Sequence, residues 1–152
     1  MTVYNEAKLI KHCVEKTDGS CPNGDDDLFV VSGGPIRVVD FYGLVETLIG
    51  NNASTCTIQH AVTDPAADLV LSTSVRVDTD AVGTSYYLTN AGLAVFTPIT
   101  AGSLILPATK ILPWFLTAGT LQATFSAANT GKIRWFIVYE PLSPKSKVVP
   151  AA

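Results

Sequence analysis

The chain has 152 residues, of which 47% are hydrophobic and 15% charged. That length suits one domain, and the apolar content excludes disorder over most of it. Ten basic against thirteen acidic residues give a net charge of -3, without the broad basic footprint that phosphate-driven nucleic-acid binding needs, so no nucleic-acid partner is expected. The three cysteines, Cys13, Cys21 and Cys56, are too few for a secreted disulfide framework. No apolar run approaches the ~18 residues of a membrane span, and charge interrupts every turn of the N-terminal segment. The expectation is a soluble protein made in the cytoplasm, with no membrane partner.

Residues 4–16 carry the best helical pattern, with Tyr4, Ala7, Ile10 and Val14 at three- and four-residue steps and Glu6, Lys8, Lys11 and Glu15 on other faces. From Thr17 to Asp27 the run TDGSCPNGDDD consists of turn formers and acids apart from Cys21. It predicts a mobile linker. Residues 1–27 are thus expected to form a helical arm and flexible acidic linker, with a compact domain over 28–140 and a Pro-rich tail over 141–152.

The central region reads as strands broken by turns. Leu28–Val31 leads into Gly33-Gly34-Pro35, and Ile36–Val39 resumes an extended β-branched pattern. Phe41–Ile49 has apolar residues on both parities, which predicts two-sided burial or a bulge. In Thr55–Val62 and Leu69–Thr79 apolar and polar residues alternate, as in half-buried antiparallel strands. Further strands are predicted at Ser85–Thr89, Leu93–Ile99, Leu104–Leu106, Ile111–Thr117, Leu121–Ser126 and Lys132–Glu140. The fold class is therefore all-β, an antiparallel β-sandwich of jelly-roll type with a short N-terminal helix and an extended C-terminal tail.

The fifty-one residues from Ala81 to Gly131 carry one formal charge, Lys110. Neutral Thr, Ser and Asn can cover the wet face of a sandwich, but charge depletion is also a mark of protein contact cores. Pro113 cannot donate to a ladder and places Trp114 and Phe115 at a sheet edge or bulge, where large aromatics call for a cover. On the last strand Ile133, Trp135, Ile137 and Tyr139 share one face and Arg134, Phe136 and Val138 the other. Both faces are largely apolar, which predicts a strand that is central or covered by a partner.

No catalytic constellation is present. There are two histidines, no G-x-S-x-G elbow, no cysteine-protease signature and no phosphate-cradling loop. Cys56 and His60 share a strand face but lie about 13 Å apart at about 3.3 Å per residue, too far to hold one zinc. The acids at Asp25–Asp27 and Asp78–Asp80 lack the spacing of a calcium loop. The expectation is a non-enzyme with no catalytic residue, cofactor or metal. Tyr86, Tyr87, Trp114 and Trp135 are read as core rather than as a sugar-binding platform.

Gly131, Arg134-Trp135, Tyr139, Pro141-Leu142 and the small-residue end from Val148 to Ala152 form a pattern that resembles small virion structural proteins of tailed bacteriophages. The likeness covers about 22 residues closely and the rest by composition, with Ser-Pro-Lys-Ser standing where a Gly is expected after Leu142. The resemblance implies a capsid cement or decoration protein, an all-β homotrimer that binds the major capsid protein on the assembled head. It places the chain on the capsid surface of the virion. Trp114, Phe115, Arg134, Phe136, Val138, Pro141 and Leu142 are the residues expected at the oligomer or capsid interface. A tail or baseplate role, or a carbohydrate- or receptor-binding β-module, are the alternatives.

Overall fold

A computed structural model describes residues 10–90, 94–99 and 114–152. The strands are β1 (His12–Cys21), β2 (Gly24–Ser32), β3 (Ile36–Thr47), β4 (Thr55–Val62), β5 (Ala67–Val70), β6 (Val75–Arg76), β7 (Ser85–Asn90), β8 (Ala94–Ile99), β9 (Trp114–Leu116), β10 (Gly119–Phe125), β11 (Asn129–Pro141) and β12 (Lys147–Pro150). Sheet A runs β1-β11-β3-β7-β8, with β9 also on β3. Sheet B runs β12-β2-β10-β4-β5, with β6 also on β4. All the pairings are antiparallel. The all-β class is as expected, and two sheets sharing one core are consistent with a sandwich.

The chain changes sheet at each of its first steps, β1 in A, β2 in B, β3 in A and β4 in B, and returns through β10 in B to β11 in A. Alternate residues of β3, β4, β10 and β11 therefore point into one shared interior. Trp135 is fully buried at its centre, stacked on Phe41 at 5.5 Å and on Tyr86 at 6.3 Å between ring centroids. Phe29 of sheet B meets Phe41 of sheet A edge-on at 6.4 Å, so aromatic contacts join the two layers.

Three expectations about the ends of the domain are corrected. No helix occurs among the described residues, and positions 12–16 of the expected helix belong to β1, paired with β11 from His12↔Tyr139 to Lys16↔Trp135; positions 4–9 lie outside the described residues. A short, weakly capped helix has little stability of its own, whereas β11 offers a full ladder. The expected linker over Thr17–Asp27 instead ends β1 and begins β2, with only Pro22 and Asn23 between them. Its acids have partners: Asp26 accepts from the Ser20 amide at 3.0 Å, Asp25 from Thr124 Oγ1 at 2.7 Å and Asp27 from Gln122 Nε2 at 2.6 Å.

The Pro-rich tail is not free either. Its residues Lys147–Pro150 add β12 to the edge of sheet B, beside β2, an edge position that tolerates Pro150. Lys16 is buried, and its Nζ donates to the Ala151 carbonyl at 3.1 Å while pairing with Asp18 at 3.0 Å. The β1 strand of sheet A thus fastens the end of sheet B.

The bulge expected near Phe41 lies just before it. Val38 pairs with Tyr139 and Asp40 with Val138, leaving Val39 as the extra residue. The inward parity of β3 switches there from Ile36 and Val38 to Phe41, Gly43 and Val45. The predicted strand over Leu69–Thr79 divides into β5 and β6, because the Leu71 and Ser72 amides both turn in to the Ile58 carbonyl and Ser72 Oγ accepts from the Ile58 amide. The strand predicted at Leu104–Leu106 lies outside the described residues.

Candidate interaction surface

The outer faces of the two sheets differ in chemistry. On sheet B, Gln59 Nε2 donates to Gln122 Oε1 at 2.8 Å, Gln122 Nε2 continues to Asp27, and Thr124 reaches Asp25. Neighbouring positions there are Thr55, Thr57 and Thr120, so the middle of this face is polar, while the edge strands β5 and β12 carry exposed Val70 and Val149.

Sheet A presents aromatic and aliphatic groups instead. Opposite residues of adjacent strands share a face, so the register places Glu15 of β1, Phe136 of β11, Tyr42 of β3 and Tyr87 of β7 in one row. Phe136 and Tyr42 stack with centroids 4.6 Å apart. The next row holds Cys13, Val138 and the half-buried Asp40, whose Oδ1 accepts from the Phe41 amide at 3.0 Å, and Leu44 lies opposite Arg134.

Ion pairs bound this apolar strip at both ends. Arg134 bridges Glu15 at 3.0 Å and Glu46, while at the far end Arg37 Nε pairs with Glu140 at 3.0 Å. Phe115, 69% exposed, sits on β9 opposite Arg37.

Four of the seven residues expected at an interface therefore meet on one surface: Phe115, Arg134, Phe136 and Val138. Trp114 does not join them, because adjacent strand residues point to opposite faces; it packs toward the core, 6.1 Å from Phe41. Pro141 closes β11 opposite Ile36, and the exposed Leu142 follows it, its amide donating to the Pro35 carbonyl at 3.1 Å. Sequence reasoning missed Tyr42, Tyr87, Arg37 and Glu46. The bulge at Val39 hid the parity of β3, although the contrast of Thr and Gln on β4 and β10 with Tyr and Phe on β3 and β11 was available.

Titratable groups elsewhere have structural surroundings. Burial pushes the Cys21 thiol up to about 11 and the Cys56 thiol well above its ordinary value. His60 is 1% exposed, its pKa lowered by burial, and its Nε2 has no hydrogen-bond partner among the described residues. Tyr86 Oη donates to Asp80 Oδ2, and burial raises the pKa of both. Tyr86 and Trp135 are fully buried, so neither can form part of a sugar platform. Among the described residues no three His, Cys, Asp or Glu side chains cluster as a metal site, and no helix is long and apolar enough to cross a membrane. No family model, curated protein or solved structure matches the chain.

Proposed function

We propose that the chain is a non-enzymatic structural protein of a bacteriophage virion, a capsid cement or decoration subunit that binds the major capsid protein of the assembled head and stabilises the shell. The observation that carries this reading is the outer face of sheet A: Phe136 stacked on Tyr42, flanked by Val138, Tyr87 and exposed Phe115. Such a surface is suited to association through apolar contact. The C-terminal likeness supplies the virion context.

The strand order supports the finer fold reading. Taken as β1-β11-β3-β7 and β2-β10-β4-β5, the two sheets are consistent with the eight-strand arrangement of a jelly roll, with β6, β8, β9 and β12 as additions. A subunit that binds only the assembled lattice stabilises it by mass action. Several copies joined in one oligomer turn weak contacts into avid attachment.

The test is sedimentation of the purified chain with expanded, DNA-free heads of the parent phage. Co-sedimentation at a fixed ratio to capsid protein, with a higher temperature of head disruption, is the expected result. Failure to bind heads overturns the cement role, and recovery with isolated tails instead moves the protein to the tail or baseplate.

A further inference from the structure

We infer that the outer face of sheet A binds a second copy of itself, as a two-fold dimer in which each β11 lies antiparallel across the other. The inference rests on the reading of this face as an association surface and names its partner. Along β11 the outward, half-buried residues are Arg134, Phe136 and Val138, and Glu140 beyond them is buried beneath its partner Arg37. A two-fold axis over Ile137 sets Phe136 against Val138 of the second copy and the Arg134 end against the Glu140 end. The sequence of the strand is thus self-complementary when reversed, as an isologous contact requires.

The adjacent strand agrees. Ile137 pairs with Phe41, so the same axis crosses β3 at Phe41, with Arg37 toward one end and Glu46 toward the other. Rotation brings the Arg37 end of one copy over the Glu46 end of the other. Arg134 is shared between Glu15 and Glu46, leaving acid in excess in that triad, while Lys132 beyond it lies toward Asp18. The Arg37 side chain, paired with Glu140 but still 41% exposed, makes that end neutral where it faces the surplus. A parallel stacking would instead set acid-rich end against acid-rich end.

Four strands at about 4.8 Å spacing and seven residues at about 3.4 Å give a footprint of roughly 450 Å² per copy. Two copies bury on the order of 900 Å², just below the ~1,000 Å² of a stable interface. The dimer is therefore weak and dissociates on dilution. Cys13 is exposed and lies one residue from Val14, which pairs with Ile137. With sheets about 10 Å apart, the axis brings the two Cys13 thiols within about 12 Å.

The test is light scattering from micromolar to millimolar concentration, with a bismaleimide of about that span added to parallel samples. The expected mass rises from 16.1 kDa toward twice that value, with a covalent dimer that Cys13→Ser abolishes. Phe115→Ser, at an exposed position that leaves the core intact, shifts the midpoint to about ten-fold higher concentration. A monomer at every concentration, a concentration-independent trimer, or a dimer that neither cross-links through Cys13 nor responds to Phe115→Ser overturns the inference. A monomer that still sediments with heads sinks the dimer and leaves the cement role; a dimer that ignores heads does the reverse.

Discussion

The indole of Trp135 lies against Gly43, its register partner on β3, so closely that a Cβ at Gly43 would sit 2.6 Å from Cζ3. Gly19 of β1 borders the same ring from the other neighbouring strand, with a Cβ there 2.8 Å from Cδ1 and 2.2 Å from the Ile133 carbonyl oxygen. Two missing side chains make the slot in which the largest core residue stacks on Phe41. Gly43→Ala is expected to cost about 1–3 kcal/mol by overpacking, and Trp135→Ala about 3–5 kcal/mol by leaving a cavity. Urea unfolding curves read both as lower midpoints at unchanged slope.

Lys16 ties the C-terminal strand to sheet A through the Ala151 carbonyl. Lys16→Met keeps the buried stem but leaves that acceptor without its donor, at about 1–3 kcal/mol. Hydrogen exchange is expected to quicken at the Val148 and Ala151 amides, which donate to Tyr139 Oη and the Leu28 carbonyl. Amides of β4 and β10 should keep their protection.

Two groups contribute to the loss of stability in acid. Burial lowers the His60 pKa in the fold, so its contribution is present above the ordinary 6.5 and is lost as pH falls through the lower folded value. Asp78 is held at about 2 by the Arg76 guanidinium, which it meets through both oxygens. Its contribution is complete above the usual 3.8 and lost as pH falls toward 2. Thermal melts from pH 8 to 2 should show two declines, the first absent in His60→Leu and the second reduced in Asp78→Asn.

Thiol reactivity follows burial. Cys13 is exposed, while Cys21 and Cys56 are buried with raised pKa values. Titration with a chromogenic disulfide at pH 8 should find one reactive thiol per native chain and three after unfolding. Fast reaction of two or more thiols in the native protein would contradict the burial of Cys21 and Cys56.

Strands with one polar face were legible from alternation alone. Cys56, Ile58 and His60 on β4 and Leu121, Ala123 and Phe125 on β10 point inward between Thr and Gln neighbours. The first strand was hidden because Val14 also fits a helical spacing with Ile10, and because the reason to bury Lys16 is an acceptor 135 residues away. The acids at Asp25 and Asp27 look like a solvated turn until Thr124 and Gln122 stand beside them. On the association surface, β11 could be read from its own two apolar faces. Its counterpart β3 could not, since the extra residue Val39 reverses the inward parity midway.

The pairing of β1 with β11 has a bearing on synthesis. The strand nearest the start of the described chain finds its ladder only when residues 129–139 have emerged, and until then its buried residues have no sheet to enter. Sheet A thus assembles after translation has passed most of the chain, and contacts of such long range make folding slow. A nascent polypeptide halted before β11 would expose β3 and β1 edges together, the kind of unpaired strand edge that aggregates unless a chaperone covers it.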